Sequence, residues 1–194
     1  GELKINLIKD GKVHSSINYE IKTRDQHTNK ESFNSSDVIY LLMPDRFANG
    51  DSSNDIHSSV SEKTNRNDKD GRHGGDIKGI IDHLDYLEDL GVTTLWSTPM
   101  LEDNAPEVSY HTYAQSNVYR IDPRYGTNED YRYLANALHQ RNMKLIMDYV
   151  TNHWGIEHWM IKDLPSSDWI HQFEKYTNTN HRKEIHSDDT RERA

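Results

Sequence analysis

The sequence has 194 residues but no cysteine, no long apolar run and no excess of basic residues. Without cysteine the chain forms neither disulfides nor thiolate metal sites, and it has no cysteine nucleophile. Its apolar runs are a few residues long, whereas a membrane-spanning helix needs about 20, so we predict no membrane span. The 32 acidic and 23 basic residues give a formal charge of −9. That balance argues against binding to nucleic acid, whose phosphates require a basic face.

Apolar residues are also sparse. They make up 33% of the chain, which is low for a globular domain even when glycine is added, so we expect a core diluted by polar stretches. The first residue is glycine, and nothing near it resembles a signal peptide. We therefore expect an edge left by processing or cloning, which carries no information on targeting.

The first part of the chain is predicted to be a small β unit. Residues 4–22 alternate roughly between apolar and polar side chains on both sides of Asp10-Gly11, which is typical of a β-hairpin. Residues 23–36 are rich in Thr, Asn and Ser, a composition that indicates a linker.

Three later segments are predicted to be strands, namely residues 38–43, 92–96 and 144–150. The length and flanks of the first suit a strand that is buried on both faces. Amphipathic helices are predicted over 76–90, where Gly91 follows as the terminating residue, and over 128–142.

The order of strand, long loop, helix and strand is the signature of parallel β/α units, so the fold class is α/β. The longest insertions follow the strands, and in a (β/α)₈ barrel these are the loops that carry function. A complete barrel needs eight strands and about 250 residues. The chain is therefore either a small open sheet or the first three β/α units of a larger TIM barrel, and the sequence favours the second.

Three clusters of polar and aromatic residues accompany the predicted strands. The first joins MPDRFANGDSSND at 43–55 to HGGD at 73–76, the second joins YHTY at 110–113 to YRIDPRYGT at 119–127, and the third is DYVTNH at 148–153. In this order and spacing they closely resemble the α-amylase family, glycoside hydrolase family 13, and most of all its neopullulanase and cyclomaltodextrinase group. The resemblance covers roughly residues 38–175.

The resemblance implies a division of the chain into three parts. Residues 1–36 would be the end of an N-terminal β-sandwich domain and a linker, and 37–153 the first part of the catalytic (β/α)₈ barrel. Residues 154–194 would begin the domain inserted after the third strand and end in a charged, solvated tail. We expect the aromatic residues of that last part to make packing contacts; they are Trp154, Trp159, Trp169 and Phe173.

The first cluster is rich in oxygen donors, which calcium binds in sets of six to eight. The resemblance implies a calcium site made of Asn49, Asp51, Asn54, Asp55, the Gly74 carbonyl and Asp76. Asn152 matches a position that binds calcium in some members and is structural in others. The alternative is that the Asn and Asp residues only form Asx turns and that Asp76 caps a helix beginning at Ile77.

The second and third clusters are candidates for sugar binding, because a tyrosine offers a flat apolar face and a hydroxyl. The resemblance implies that Tyr113 stacks on the sugar at the cleavage point, that His153 hydrogen-bonds it with His111 nearby, and that Asp148 supports the active-site charge network. The usual pattern has Gly where Thr112 stands and often Trp where Ala114 stands. Taken without the motif, Tyr113 is an ordinary loop aromatic and His153 a packed histidine.

The catalytic carboxylates are not found in this chain. A retaining glycosidase needs a nucleophile and an acid about 5 Å apart, and in the resembling family both follow later strands. Nothing after His153 matches those motifs. We therefore expect a fragment of a retaining hydrolase of α-1,4 linkages in maltodextrins, cyclomaltodextrins, pullulan or starch, inactive alone. The alternatives are a non-catalytic α-glucan-binding protein and a calcium-stabilised structural module.

The expected partner is an α-glucan oligosaccharide or polysaccharide. Members of the resembling group form homodimers through the N-terminal sandwich, so a homodimer is expected of the intact protein. A periplasmic or extracellular location is favoured over a cytoplasmic one.

Overall fold

The structure is a computed structural model that describes residues 1–23, 32–170 and 173–175. The chain divides into two units after Phe33. The predicted charged tail at 178–194 lies outside the described residues.

The first unit is an antiparallel β-hairpin of β1 (Glu2–Lys9) and β2 (Lys12–Glu20). Asp10 and Gly11 connect the strands with φ angles of 51° and 71°. Two consecutive left-handed residues match the twist of the flanking strands in a two-residue turn. The predicted hairpin is confirmed.

One face of this hairpin is apolar. Leu3 pairs with Tyr19 and Ile5 with Ile17, so these four side chains share a face. All four are at least 42% exposed. The alternation that predicted the hairpin therefore gives it an apolar face that no described residue of its own unit covers.

The second unit contains both helices and strands. In chain order its elements are β3 (Ile39–Leu42), α1 (Pro44–Phe47), α2 (Ile77–Asp82), α3 (Leu84–Asp89), β4 (Thr94–Ser97), β5 (Leu101–Glu102), β6 (Asn117–Ile121), α4 (Asn128–Gln140) and β7 (Lys144–Met147). Short 3₁₀ turns lie at Ser109–His111, Trp159–Lys162 and Ser167–Trp169. None of the helices in the described ranges is long and apolar enough to cross a membrane.

The main sheet has three parallel strands in the order β3-β4-β7. Leu41 lies beside Trp96, and Trp96 beside Ile146. These strands form at the three predicted segments, and their parallel order places their carboxyl ends at one edge of the sheet. The loops that leave this edge carry the second and third clusters.

The first of these strands is not buried on both faces, so that prediction is wrong. Ile39 and Leu41 are 42% and 59% exposed, whereas Leu42 is buried. Successive side chains of a strand point to opposite faces. The helices cover only one face of the three-stranded sheet, and the other side chains of β3 remain exposed.

The core lies between the sheet and the helices. Leu42 and Leu95 contribute to it from the strands. The helices and connecting segments supply most of the other buried apolar side chains, among them Ile77, Ile80, Leu84, Leu87, Leu134, Leu138 and Met143. The apolar spacing that predicted the helices thus identifies their buried faces.

The predicted single helix over 76–90 is two short helices. The break is at His83, whose φ of −116° and ψ of 17° are not helical. Its Nδ1 lies 2.7 Å from the carbonyl oxygen of Gly79 and competes with backbone amides for that acceptor. Gly91 follows α3 with a φ of 83°, which confirms the predicted end of the helical region.

An antiparallel pair of strands, β5 and β6, was not predicted. A strand of two residues cannot show an alternating pattern. The pair encloses the segment that carries Tyr113. Because Leu101 lies opposite Ile121 and Glu102 opposite Asn117, both ends of that segment are fixed to each other.

Candidate functional site

Side chains from three segments meet at the carboxyl edge of the sheet. Asp148 follows β7 directly, and its Oδ2 accepts hydrogen bonds from the Tyr113 hydroxyl at 3.2 Å and the Trp96 indole nitrogen at 3.3 Å. Burial raises the pKa of the Tyr113 phenol, and the Asp148 charge raises it further. The phenol therefore stays protonated and donates to the carboxylate. Tyr113 remains 39% exposed, so its ring is accessible to a ligand.

The two histidines predicted to contact sugar flank the same tyrosine. His153 Nε2 lies 3.1 Å from the backbone oxygen of Tyr113. His111 Nδ1 accepts from the Tyr113 amide at 3.4 Å, and the two rings lie 5.7 Å apart. Burial lowers the pKa of His111; the Glu62 charge opposes this effect and the Arg72 charge adds to it. His111 is thus neutral near pH 7. The structure brings together Tyr113, His111, His153 and Asp148.

The loop before Tyr113 has an uncommon backbone. Thr112 has a φ of 54°, a left-handed conformation that is unfavourable for a β-branched residue. Its hydroxyl donates to the Pro99 carbonyl, and the side chain is fully buried. Position 112, where the resembling family usually has glycine, thus has a backbone conformation that favours glycine.

A buried ionic cluster lies behind this loop. The Arg124 guanidinium donates to both carboxylate oxygens of Asp122 at 2.8 and 2.7 Å and to the backbone oxygens of Asp103 and Glu62. Burial alone would raise the pKa of Asp122, but the hydrogen bond from Arg124 and the nearby cationic charges outweigh it and lower that pKa. Asp122 and Arg124 are therefore a permanently charged, paired anchor.

Asp103 links this cluster to the segment that carries Tyr113. Its amide donates to Asp122 Oδ2 at 3.1 Å, and its own carboxylate accepts from the amides of Ala105 at 3.0 Å and Ala114 at 3.1 Å. Burial raises the pKa of Asp103 to about 6 although both amides favour the charged form. Asp103 thus bonds directly to the residue after Tyr113.

The first cluster forms an ordered loop between α1 and α2. Asp76 caps α2, since its carboxylate accepts from the Gly79 amide at 2.6 Å. The same carboxylate accepts from the amides of Gly50 and Asp51 at 3.1 and 2.9 Å. The expected alternative of a helix cap is therefore present, and it occupies much of the Asp76 carboxylate.

The remaining oxygen donors of that loop fit a hard cation in part. Asn54 Oδ1 is buried and has no hydrogen-bond partner in the structure. The Asn49 amide nitrogen lies 2.6 Å from Asp55 Oδ1, and a side chain at Gly74 would collide with both of these groups. Within the described ranges, no three His, Asp or Glu side chains form a metal-binding group. Any cation here would therefore need amide and carbonyl oxygens in addition to carboxylate oxygens.

Two of the expected ligands are used otherwise or lie elsewhere. Asp51 Oδ1 accepts from the amide and hydroxyl of Ser53, and these bonds lower the pKa of Asp51. Asn152 lies beside His153, with its amide nitrogen 3.3 Å from Nδ1. Asp51 thus forms a local turn in this structure, and Asn152 lies beside His153 instead of in the 49–55 loop.

The aromatic residues after β7 are more exposed than expected. The predicted packing contacts are present at Trp154 and Trp159, although Trp159 and Trp169 are 47% and 58% exposed. Trp154 stacks on His158 with ring centroids 4.4 Å apart. Trp159 also stacks on His158, with ring centroids 5.5 Å apart, and His158 is fully buried.

Trp96, Asp103 and Gly155 were missed by the sequence interpretation. Trp96 could have been found by strand parity, because it occupies the face opposite Leu95 and therefore faces away from the helices. Asp103 and Gly155 carry no local signal, since each acts through the backbone of the 113–115 segment.

The comparisons with known proteins agree on one family. The family model for the alpha amylase catalytic domain matches residues 41–190. Neopullulanase 2 of Thermoactinomyces vulgaris is 41% identical over 128 residues, which are 66% of this chain and 21% of that protein. The intracellular maltogenic amylase of Bacillus subtilis is 37% identical over 143 residues, 70% of this chain and 24% of that protein.

The solved structures give the same result. The crystal structure of an Anoxybacillus α-amylase superposes with a TM-score of 0.64 and 36% identity, covering 73% of this chain and 30% of that one. The chain therefore spans between about a tenth and a third of the length of the relatives it matches.

Proposed function

Since the chain belongs to the α-amylase family, by a family match over residues 41–190, we propose that it is part of a retaining α-glucan hydrolase. The substrates are α-1,4-linked glucans: maltodextrins, cyclomaltodextrins, pullulan or starch. Tyr113, His111 and His153 contact the sugar, and Asp148 supports the charge of the reacting centre. We assign neither the catalytic nucleophile nor the acid to a residue of this chain, and we expect the chain alone to be inactive.

The convergence of Tyr113 and Trp96 on Asp148 carries this proposal. A partly exposed tyrosine ring and a carboxylate that accepts two hydrogen bonds stand together at the carboxyl ends of parallel strands. Functional residues of (β/α)₈ barrels occupy this end of the barrel. An aromatic face beside a few fixed polar groups is the chemistry that recognises a pyranose ring.

The architecture of the intact protein is part of the proposal. The strands β3, β4 and β7 are the first three of an eight-stranded barrel, in which further strands cover the exposed face of β3. The hairpin of residues 1–23 is the remnant of an N-terminal β-sandwich, and 154–194 begin the domain inserted after the third strand. The exposed apolar faces of the hairpin and of β3 support this, because such faces are usually covered.

Calcium is proposed for the loop at 49–55. The buried, unpartnered Asn54 Oδ1 supports a cation held by Asn54, Asn49, Asp55, the Gly74 carbonyl and, after local rearrangement, Asp51 and Asp76. Rotation of the Asn49 amide by 180° would present its oxygen instead of its nitrogen. The bound ion would neutralise the acidic loop and stabilise it.

Binding of maltoheptaose, measured by titration calorimetry, tests the function. We expect saturable binding by the 194-residue chain and at least tenfold weaker binding by Tyr113→Ala. Tyr133→Ala is the matched control, because Tyr133 is 62% exposed on α4. It should bind as the wild type does.

The outcomes separate the proposed function from its alternatives. No binding by the wild type would favour the calcium-stabilised structural module. Equal loss in both tyrosine variants would contradict a sugar site at Tyr113. A non-catalytic glucan-binding protein would bind maltoheptaose equally well. It differs from a hydrolase only in whether later strands of the barrel carry the nucleophile and the acid.

A further inference from the structure

The backbone of the short segment from Tyr113 to Gln115 is held from two sides, by the loop after β7 and by Asp103. The backbone oxygens of Tyr113 and Gln115 accept from His153 Nε2 at 3.1 Å and from the Gly155 amide at 2.9 Å. The intervening Ala114 amide donates to Asp103 Oδ2 at 3.1 Å. Three successive residues are thus fixed by contacts to the loop after β7 and to Asp103.

The contact at Gly155 leaves no room for a side chain. A Cβ atom at this position would lie 2.2 Å from the Ala114 backbone oxygen and 2.6 Å from the Ala114 carbonyl carbon. Both are backbone atoms, which cannot rotate away as the end of a flexible side chain can. Gly155 is buried, and its own carbonyl accepts from the His158 amide at 2.9 Å. The loop after β7 therefore approaches the 113–115 segment as closely as a glycine allows.

We propose that Gly155 and Asp103 are positioning residues that clamp the 113–115 segment between them and so hold the Tyr113 hydroxyl against Asp148. This inference deepens the proposed function and depends on it for its meaning in sugar binding. Tyr113 follows Thr112, whose left-handed backbone is unfavourable for a β-branched residue. The loop before Tyr113 therefore does not by itself favour the observed conformation. The clamp provides the missing constraint at the residues that follow.

The clamp accounts for the placement of both sugar-contacting segments. His153 and Gly155 lie on one loop and Tyr113 on another, so the contacts between these two loops set the distance between Tyr113 and the loop after β7. A site must hold its groups within about 0.5 Å of the productive geometry to be effective. A small displacement at Gly155 therefore separates Tyr113 from Asp148 without removing either side chain.

The test compares Gly155→Ala with Gly91→Ala in the 194-residue chain. Gly91 has a φ of 83° and open space around it, so its alanine variant is strained but touches nothing in the site. Amide hydrogen exchange is measured for Ala114 and Gly155, or the residue that replaces it, relative to Leu134 in the core. We expect exchange at position 114 to accelerate at least tenfold in Gly155→Ala and less than twofold in Gly91→Ala.

A second readout follows the tyrosine itself. The resonance of Tyr113, labelled at Cζ and assigned by its absence from Tyr113→Phe, reports the titration of its hydroxyl. In the wild type this titration occurs above the ordinary tyrosine pKa because of burial and Asp148. We expect it to move toward the ordinary value in Gly155→Ala and to stay unchanged in Gly91→Ala. A merely structural role of Gly155 would leave it in place.

Asp103→Ala keeps the proposal falsifiable if Gly155→Ala does not fold. It removes the acceptor of the Ala114 amide, and we expect the same acceleration at Ala114 with retained protection of Leu134. Unchanged exchange and unchanged Tyr113 titration in a folded Gly155→Ala or Asp103→Ala variant would overturn the clamp. If the wild type fails to bind maltoheptaose, the proposed function fails, while these sugar-free measurements still decide the clamp.

Discussion

The indole nitrogen of Trp96 lies 3.3 Å from Asp148 Oδ2, the oxygen that also accepts from Tyr113. Trp96 is on the middle strand of the three-stranded sheet, so it links the interior of the sheet to the site at its edge. The Asp148 carboxylate is therefore oriented by two donors from two different segments.

Replacing Trp96 by Phe should weaken sugar binding without unfolding the chain. The variant keeps an aromatic ring but loses the donor to Asp148, and a hydrogen bond of this kind is worth about 1 kcal/mol, or roughly fivefold in affinity. Titration with maltoheptaose measures the change. Trp169→Phe is the control, because Trp169 is 58% exposed and outside the site. Equal affinities in the two variants would show that Trp96 does not orient Asp148.

Calcium should raise the melting temperature of the chain. An ion present at 100 times its dissociation constant stabilises the folded state by about 2.7 kcal/mol, which corresponds to several degrees for a domain of this size. The shift should disappear with a chelator and be much reduced in Asn54→Ala, which removes the unpartnered oxygen. Asn67→Ala, an exposed position on a neighbouring loop, should keep the shift. An equal shift in both variants would contradict the proposed site.

Asp103 should make the free energy of unfolding depend on pH. Its folded-state pKa of about 6 exceeds the unfolded value of 3.8, so between these values the folded chain keeps a proton that the unfolded chain releases. The contribution of Asp103 therefore falls as pH rises from about 4 to about 6. Relative to Asp103→Asn, the wild type should be about 2–3 kcal/mol more stable at pH 4 than at pH 7. Urea unfolding at both pH values measures this, and a constant difference would contradict the burial of the charge.

The Asp122–Arg124 pair should be sensitive to the loss of one partner. Arg124→Ala leaves the Asp122 carboxylate buried without its cation, which costs about 3–5 kcal/mol. The surface pair of Arg132 and Glu129 gives the control, since Arg132→Ala should cost less than about 1 kcal/mol. Denaturant unfolding compares the two. Similar losses would mean that water reaches the Asp122 site.

At position 112, glycine should be more stabilising than alanine, which is the reverse of the usual order. At a φ of 54° alanine is strained by about 1 kcal/mol relative to glycine. Both Thr112→Gly and Thr112→Ala lose the bond to Pro99, so their difference isolates the backbone. We expect Thr112→Gly to be the more stable of the two by about 1 kcal/mol in thermal unfolding. The opposite order would show that the loop relaxes to an ordinary backbone.

The sequence predicted the elements whose patterns are local. The left-handed pair Asp10-Gly11 marks its own turn, and the spacing of Leu134 and Leu138 marks the buried face of α4. The break at His83 could not be predicted, because the apolar spacing continues through it while a side chain competes for the backbone. The exposure of Leu41 also escaped prediction, since an apolar run shows a strand and not which of its faces is covered.

The sequence predicted those residues of the site that belong to recognisable motifs. Tyr113, His153 and Asp148 could be named because their clusters resemble a known family, and the structure brings them together. Asp103 and Gly155 could not be named, because their roles depend on backbone atoms of residues distant in sequence. Asp76 shows the converse, since its helix-capping role is readable from its position before Ile77.

Whether the 194-residue chain is catalytically inactive is decided by its release of reducing sugar from cyclomaltodextrin, pullulan and starch with calcium present. We predict that the chain binds glucan but releases no sugar above a His153→Ala control, because neither catalytic carboxylate is assigned to it. Clear release that His153→Ala abolishes would contradict this and place the nucleophile and the acid among these residues.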